Sequence, residues 1–263
     1  MNITFSPKQI KICHQKLVRD AVAFRPELLG LSPAPDPIPA IGTSRVRRVS
    51  RDLAWKVIAR YEWLGTLPFF CSDYFGLFLD DYCAGVACFA VGNLGAGGFS
   101  VPVMMGVPQS DIAYLVRGAC VHWAPTGCAP RLINHSSRMT DAQMAIAYSD
   151  TDAGEIGTVY QASGWTCFGQ GKSLIEWVSP KGKVYNNMVL RRQRLQYGGT
   201  VSQWSKKLLD NGWTQQRSNP KWRYGLLLPK GKANSDLRAK FAALEVAYPK
   251  RVLLVGGSIA TSD

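Results

Sequence analysis

The sequence lacks the patterns of an exported protein or of one stabilised by disulfide bonds, and it is poor in acidic residues. Its 263 residues include 18 Asp and Glu against 31 Lys and Arg. The seven cysteines contain no CxxC pair and stand at irregular spacing, which argues against a disulfide or zinc framework and favours free thiols in a reducing compartment. No basic-then-apolar signal pattern opens the chain, so we expect no secretion.

One stretch, residues 82–110, has no charged residue and is long enough to span a bilayer. Its many Gly and Pro residues disfavour a membrane helix, and we interpret it as a buried strand, a glycine-rich turn and an extended piece. The turn Gly92–Gly98 has the glycines of a dinucleotide-binding loop. However, the extended segment Phe99–Val103 follows where a phosphate-binding helix is required, so we reject a Rossmann site.

Positive charge is concentrated in the last third of the chain. Residues 1–171 hold 14 Lys and Arg against 13 Asp and Glu, whereas residues 172–263 hold 17 against 5. Such asymmetry indicates a polyanion partner, with nucleic acid first. The same third is rich in Trp and Tyr, which can stack on unpaired bases. A solubilising basic surface with core aromatics is the alternative.

Proline and charge divide the chain into three parts. Residues 1–43 carry five prolines between Pro26 and Pro39, which predict an extended N-terminal arm. Residues 44–171 form the near-neutral body. Residues 172–263 form a basic C-terminal extension, which we expect to bind DNA and to pack on the body.

Periodicity predicts the elements of the body. A first strand falls in Ser44–Ser50 and a helix capped by Ser50 in Arg51–Trp63. A β-hairpin turns at Asp80-Asp81. The later elements, in order, are strand Ile112–Trp123, turn Ala124–Pro130, helix Arg131–Met139, strand Met144–Tyr148, helix Glu155–Ser163, and Trp165–Phe168 as the last strand of the body.

The extension is predicted to hold further elements. These are a hairpin of Ile175–Val178 and Val184–Leu190, a helix near Val201–Leu209, a strand at Trp222–Leu228, a loop at Lys230–Asn234 and a helix near Asp236–Val246.

Five stretches carry a family resemblance, of which the Ser-Asp to Gly-Trp stretch is the most specific. They are Tyr61–Pro68, Leu115–Ala119, Ala129–Ser137, Ala147–Trp165, and Pro220–Tyr224 with the later Tyr248–Arg251. Together with the order of elements, they resemble the acetyltransferase (GNAT) fold, and more narrowly the GNAT-related phage proteins of the Mom family. The resemblance implies an α/β (α+β) fold with a mixed, mostly antiparallel central sheet flanked by helices.

The resemblance implies a reaction centre around the end of the Met144–Tyr148 strand. Asp150, with Tyr148 and Ser149, would orient or deprotonate an exocyclic amine, although Asp is also a common N-cap. Tyr160 would protonate a leaving thiol, or else pack on Trp165. Ser137 matches a helix serine of the family. Glu62 stands where related proteins often carry His, which is a departure.

The resemblance also implies a donor site at the strand-to-helix turn, where a GNAT protein cradles the pyrophosphate of acetyl-CoA. The turn here keeps small residues but lacks the leading Gln or Arg. Arg117, the only charge in its strand, requires a partner, with Asp150 and Glu62 as candidates. An acyl-CoA donor is expected, no metal site is predicted, and whether a metal takes part stays open. The residues assigned to the donor are Thr126, Gly127, Cys128, Ala129, Arg131, Asn134 and Arg117.

Double-stranded DNA is the expected partner, held by the basic extension. The residues assigned to it are Arg191, Arg192, Arg194, Lys221, Arg223, Tyr224 and Lys230.

The leading hypothesis is a phage-type enzyme that transfers a small acyl-derived group to the exocyclic amine of adenine in DNA. It would act in the cytoplasm of a bacterial host and protect phage DNA from host restriction. Two alternatives remain: an N-acyltransferase acting on a protein or small amine, and a non-catalytic DNA-binding protein on a GNAT-like body.

Overall fold

The computed structural model describes residues 13–24, 34–92, 105–186, 194, 198–228, 235–250, 252–255 and 258–261. The helices in these ranges are α1 (His14–Phe24), α2 (Arg51–Tyr61), α3 (Cys128–Arg138), α4 (Thr158–Ala162), α5 (Val201–Asp210) and α6 (Ser235–Ala243). The strands are β1 (Arg45–Arg48), β2 (Asp73–Leu79), β3 (Tyr82–Val91), β4 (Ile112–Cys120), β5 (Met144–Ser149), β6 (Thr166–Gln170), β7 (Ile175–Val178), β8 (Val184–Asn186), β9 (Thr214–Arg217), β10 (Trp222–Leu227), β11 (Val252–Val255) and β12 (Ser258–Thr261).

A seven-stranded sheet in the order β1-β2-β3-β4-β5-β10-β6 forms the centre of the fold. Every neighbouring pair in it is antiparallel except β4 and β5, which are parallel. Alternate residues of β4 and β5 enter two cores, so both faces of the sheet are covered. Helices α2 and α3 pack on one face, and Leu237 and Phe241 of α6 belong to the core on the other. The predicted GNAT-like fold class is confirmed.

Strands β4 and β5 separate after a short contact. Their ladder joins only Ile112–Tyr114 to Met144–Ile146, although both strands continue beyond it. The β3–β4 register shifts at the same level, where Cys88 pairs with Arg117 and Phe89 with Leu115. The one extra residue on β4 is a β-bulge, which bends the strand and increases its twist. A cleft therefore opens between the carboxyl ends of β4 and β5.

Most local predictions for the body are confirmed. The hairpin β2–β3 turns at Asp80-Asp81, with Asp80 at φ 50°. Helix α2 begins after Ser50, whose hydroxyl accepts a hydrogen bond from the Leu53 amide at 3.2 Å. Strands β1, β4 and β5 lie within one to three residues of their predicted bounds.

Two helices of the body differ from prediction because of proline and glycine. Helix α3 begins at Cys128 rather than Arg131, since Pro130 falls in the first turn, where its missing N–H needs no helical partner. Of the predicted helix Glu155–Ser163 only Thr158–Ala162 is helical, as the short α4, and a 3₁₀ turn, Thr151–Ala153, precedes it. Gly154 and Gly157 adopt left-handed φ angles of 71° and 75° between them, which interrupts the helix.

The N-terminal residues 14–24 are not extended, so that prediction was wrong for this segment. They form α1, which contains no proline and carries Leu17, Val18 and Val22 at helical spacing. Val22 is buried in the main core, and α1 packs on α2.

The predicted strand Trp165–Phe168 is confirmed as β6, Thr166–Gln170, but it is not the last strand that the chain adds to the central sheet. Strand β10 lies within the basic extension in sequence, yet it pairs with β5 on one side and β6 on the other. Its Tyr224 is fully buried. The interior of the central sheet therefore contains a strand from the basic third of the chain.

The rest of the basic third contains a second, smaller unit. Strands β8, β7 and β9 form a three-stranded sheet. Trp177 and Leu208 are buried in its core, with Trp204 and Trp213 packed against them. The hairpin and α5 were predicted, whereas β9 was not; the predicted residues 187–190 and the loop Lys230–Asn234 lie outside the described residues. No helix in the described ranges is long and apolar enough to cross a membrane.

Candidate active site

A cavity of about 370 Å³ lies where β4 and β5 separate. Its walls come from Leu115–Cys120 of β4, the end of β5, the end of α2 and the first turns of α3. Residues from the start of α1, among them Gln15 and Arg19, close one side. Eight of the predicted site residues line it: Glu62, Arg117, Ala129, Tyr148, Ser149, Asp150, Tyr160 and Lys221.

The segment after β5 reverses sharply and returns to the same cavity. Asp150 caps the 3₁₀ turn by accepting a hydrogen bond from the Asp152 amide at 3.1 Å. Gly157 then packs against the Tyr224 ring so closely that a Cβ there would lie 2.2 Å from a ring carbon. Because of these turns, Asp150, Glu155 and Tyr160 all line one cavity.

Asp150 is held by a cation from the strand beside it. Lys221 Nζ lies 2.5 Å from Asp150 Oδ2, and the Asp150 side chain is only 18% exposed. Its other oxygen accepts the Asp152 amide. The carboxylate thus combines the capping role and a position in the cavity wall, which the sequence presented as alternatives.

Arg117 pairs with Glu62, one of its two predicted partners. The Arg117 Nε to Glu62 Oε2 distance is 3.8 Å, and Nε also donates to the Thr66 carbonyl at 2.8 Å. Glu62 Oε2 accepts from the amides of Leu64 and Gly65 at 2.9 and 3.0 Å. Burial nevertheless raises the pKa of Glu62, against the opposing effect of Arg117.

Glu155 lines the cavity and was not assigned a role from the sequence. Burial raises its pKa to about 7, and the charges of Asp150 and Glu62 act in the same direction, whereas Lys221 lowers it. The Cys13 thiol donates weakly to Glu155 Oε1 at 3.9 Å. Its place between two left-handed glycines was the only available signal, and that pattern does not reveal burial.

Two hydroxyl groups near Asp150 differ in their bonding. Ser149 is 1% exposed, and in the described part of the chain its Oγ has no hydrogen-bond partner. A buried hydroxyl in this state can bond to a bound ligand. Tyr160 packs on Trp165 and Tyr224 with ring centroids 5.5 and 5.1 Å apart. Burial raises the pKa of Tyr160, so its phenol is protonated at neutral pH. Burial likewise raises the pKa of Tyr148.

The predicted donor turn lies at one end of the cavity but contributes little of its lining. Gly127 precedes α3 with φ 92°, and no side chain caps the helix. Only Ala129 of the turn lines the cavity, whereas Thr126 and Gly127 are exposed and Cys128 is buried. Burial raises the pKa of Cys128, and the charges of Arg19 and Arg131 oppose this rise. Asn134 accepts from Arg138 at 3.0 Å.

Two predicted site residues are corrected by the structure. Ser137 is fully buried outside the cavity lining, and its hydroxyl donates to the Ile133 carbonyl at 2.6 Å. Tyr224 cannot contact DNA in this arrangement because it is fully buried in the central sheet and bonds to the Ile156 carbonyl.

The other residues assigned to nucleic acid are dispersed. Lys221 lines the cavity, Arg223 donates to the Phe168 carbonyl at 2.7 Å, and Arg194 donates to the Gly199 carbonyl at 2.9 Å. Arg191, Arg192 and Lys230 lie outside the described residues. Within the described ranges, no three His, Cys, Asp or Glu side chains are grouped as a metal would require.

The sheet order, the separation of β4 from β5 and the cavity between them define a GNAT-like α/β protein. A family model described as the Mom protein family matches residues 43–250. The match covers most of the chain, which therefore belongs to the Mom protein family. No curated protein matches the chain in sequence.

Three solved structures illustrate the likeness at the level of shape. An acetyltransferase from Bacillus subtilis in complex with CoA is 10% identical over 70% of this chain and 99% of its own, with a TM-score of 0.35. Spermidine N-acetyltransferase from Vibrio cholerae, with CoA and spermine, is 11% identical over 72% and 98%, at 0.38. FeeM, an N-acyl amino acid synthase from uncultured soil microbes, is 15% identical over 72% and 93%, at 0.39. With such scores these likenesses say nothing of the reaction.

Proposed function

We propose that this protein is a transferase that moves a small acyl-derived group to the exocyclic amine of adenine in DNA, and that the modification protects phage DNA from host restriction. Membership of the Mom protein family supports this proposal. The observation that carries it is the cavity between β4 and β5, where carboxylates, a lysine, a phenol and an unpaired serine hydroxyl converge.

An acyl-CoA is the proposed donor, and the residues at the α3 end of the cavity fit it. Helix α3 begins without a side-chain cap, so its N-terminal dipole can face an anion. The guanidinium groups of Arg19 and Arg131 are close enough to influence Cys128 at that N-terminus. These groups would hold the pyrophosphate, and Ser149 Oγ could bond to the polar end of the transferred group. When bound, the donor supplies an activated carbonyl carbon.

The remaining side chains have roles that follow from their bonding. Asp150, fixed by Lys221 and the Asp152 amide, can accept a hydrogen bond from the incoming amine and orient it. Tyr160 is protonated at neutral pH, so its phenol can donate a hydrogen bond to the sulfur of the leaving group. The Glu62–Arg117 pair fixes the loop after α2 in the wall of the cavity.

DNA would be held by the basic third of the chain. The amine of a stacked adenine is poorly accessible to an enclosed site, so the target base would be flipped out of the duplex. Lys221 lies at the junction of the two functions, because it belongs to the basic third and lines the cavity. We therefore expect the flipped base to enter the cavity near Lys221.

Mass spectrometry of DNA nucleosides tests the proposal. DNA from bacteria that express the wild-type chain should contain a new adenosine-derived mass whose increment identifies the transferred group. Asp150→Asn should lower that signal by about 100-fold or more, since an oriented carboxylate is lost. Asp81→Asn, in the exposed β2–β3 turn, is the matched control and should leave the signal unchanged.

Other outcomes favour the alternatives. Absence of any new mass, with folded wild-type protein, would contradict the proposal. Acylation of amines by purified protein without DNA modification would indicate an N-acyltransferase. Tight, salt-dependent DNA binding without either product would indicate a non-catalytic DNA-binding protein.

A further inference from the structure

The three carboxylates that line the cavity are not equally free to accept a proton. Asp150 has one oxygen on Lys221 and the other on the Asp152 amide. Glu62 Oε2 accepts two amide hydrogen bonds and faces Arg117. Among the described residues none forms an ion pair with Glu155, whose contacts are a hydrogen bond at the Asp150 backbone and the weak Cys13 donor.

Glu155 lies in the wall of the same cavity as Asp150. It lies between Gly154 and Gly157, whose left-handed conformations return the chain to the cavity beside the end of β5. Its carboxyl group is close enough to Asp150 for the charge of Asp150 to raise the pKa of Glu155. An amine held by Asp150 would therefore lie within the same small space as Glu155.

We propose that Glu155 is the general base of this cavity and accepts the proton that the acceptor amine loses during group transfer, while Asp150 positions that amine. The inference rests on the proposed transferase function and names a catalytic residue within it. Removing a proton during attack increases the rate by about 10²- to 10⁴-fold in comparable reactions.

The proton transfer balances without a further reactant. As the amine nitrogen forms its bond to the carbonyl carbon of a thioester donor, one N–H bond breaks and its electron pair stays on nitrogen. The proton passes to a Glu155 carboxylate oxygen. The carbon–sulfur bond breaks, and sulfur leaves with the electron pair of that bond.

The surroundings of Glu155 adapt it to this role near neutral pH. Burial and the two neighbouring carboxylates raise its pKa to about 7, so the group is half deprotonated there and has high proton affinity. The charge of Lys221 opposes this rise in pKa and so favours the ionised carboxylate. The titratable and charged groups that face Glu155 are Asp150 at the end of β5, Glu62 at the end of α2, Lys221 before β10, Cys13 before α1 and Tyr160 on α4.

The test is a pH–rate profile measured in lysates of expressing bacteria, which supply the donor whatever its identity. Added plasmid DNA is incubated from about pH 5.5 to about pH 8.5, and modified deoxyadenosine is quantified. The wild-type rate should fall about tenfold per pH unit below about 7 and level off above it. Glu155→Gln should lower the rate by about 100-fold or more and abolish this acidic limb, whereas Glu155→Asp should retain the limb at a reduced rate. Glu245→Gln, at an exposed site, is the control.

The possible outcomes distinguish a wrong assignment of Glu155 from a wrong proposed function. A Glu155→Gln protein with the wild-type rate and acidic limb would overturn the assignment of Glu155 alone. A wild-type protein that yields no modified nucleoside would overturn the proposed function, and this inference with it. Carboxyl ¹³C NMR of the wild-type protein is independent of activity and of variant folding: the Glu155 signal should titrate near pH 7, and a midpoint near the ordinary 4.5 would contradict the proposal.

Discussion

Lys221 Nζ contacts Asp150 Oδ2 at 2.5 Å, and this ion pair joins the residue before β10 to the residue after β5. The two side chains come from the basic third and the near-neutral body of the chain. They meet because β10 pairs with β5 along its whole length, from Trp222 opposite Ser149 to Leu227 opposite Met144. The contact places one cation of the basic third in the wall of the cavity.

Replacing Lys221 should affect both carboxylates near it. In Lys221→Met, Asp150 loses its cation and its fixed orientation, so DNA modification should fall by about 10- to 100-fold. Lys221 also lowers the pKa of Glu155, so its removal should shift the acidic limb of the pH–rate profile above pH 7. Lys221→Arg should restore part of the rate. Lys250→Met, at an exposed site, should match the wild type, and an unshifted limb in Lys221→Met would contradict the electrostatic argument.

The close contact of Gly157 with Tyr224 predicts a loss of stability on adding one methyl group. In Gly157→Ala the new Cβ would lie 2.2 Å from the Tyr224 ring, at a φ of 75°. Left-handed strain and overpacking together should cost about 2–4 kcal/mol of unfolding free energy. Gly182→Ala is a matched control, because Gly182 has the same φ and open space around it. Denaturant unfolding of both variants separates the clash from the strain, and equal losses would show that no clash exists.

The Glu62–Arg117 pair predicts a stability loss that grows with pH. In Arg117→Met, Glu62 keeps its burial but loses its cation, so its pKa should rise further above 4.5. The folded state then binds more protons than the unfolded state between the two pKa values, and stability falls as pH rises through that window. We expect a loss of about 3 kcal/mol at about pH 8 and a smaller loss at about pH 5, by urea unfolding. Glu62→Gln combined with Arg117→Met should remove the pH dependence, and a loss independent of pH would refute this explanation.

The basic third should control the salt dependence of DNA binding. Lys206 and Lys207 are exposed on α5, and replacing both by Gln should reduce the slope of log affinity against log salt by about 1 to 2. Replacing the exposed Lys16 and Lys56 of α1 and α2 by Gln removes the same charge from outside the basic third and should leave the slope unchanged. Fluorescence anisotropy with a short labelled duplex measures both. Equal slopes for the two double variants would place the DNA elsewhere on the protein.

The elements that could be predicted from the amino-acid sequence are those whose signals are local. The Asp80-Asp81 hairpin, the Ser50 cap of α2 and the alternating apolar residues of β4 and β5 depend on neighbours only a few residues away. Five stretches and the order of elements indicated the family; Asp150 and Tyr160, in the most specific of these stretches, do line the cavity.

Which distant residues come into contact is seen only in the folded structure. The place of β10 between β5 and β6 is a long-range pairing, and no local pattern distinguishes a strand that enters the central sheet from one in an appendage. The same holds for Tyr224, whose burial depends on its neighbours in space. Glu155 became a candidate only when folding removed it from water beside Asp150 and Glu62, since the proton affinity of a carboxylate depends on burial and nearby charge rather than on its position in the sequence.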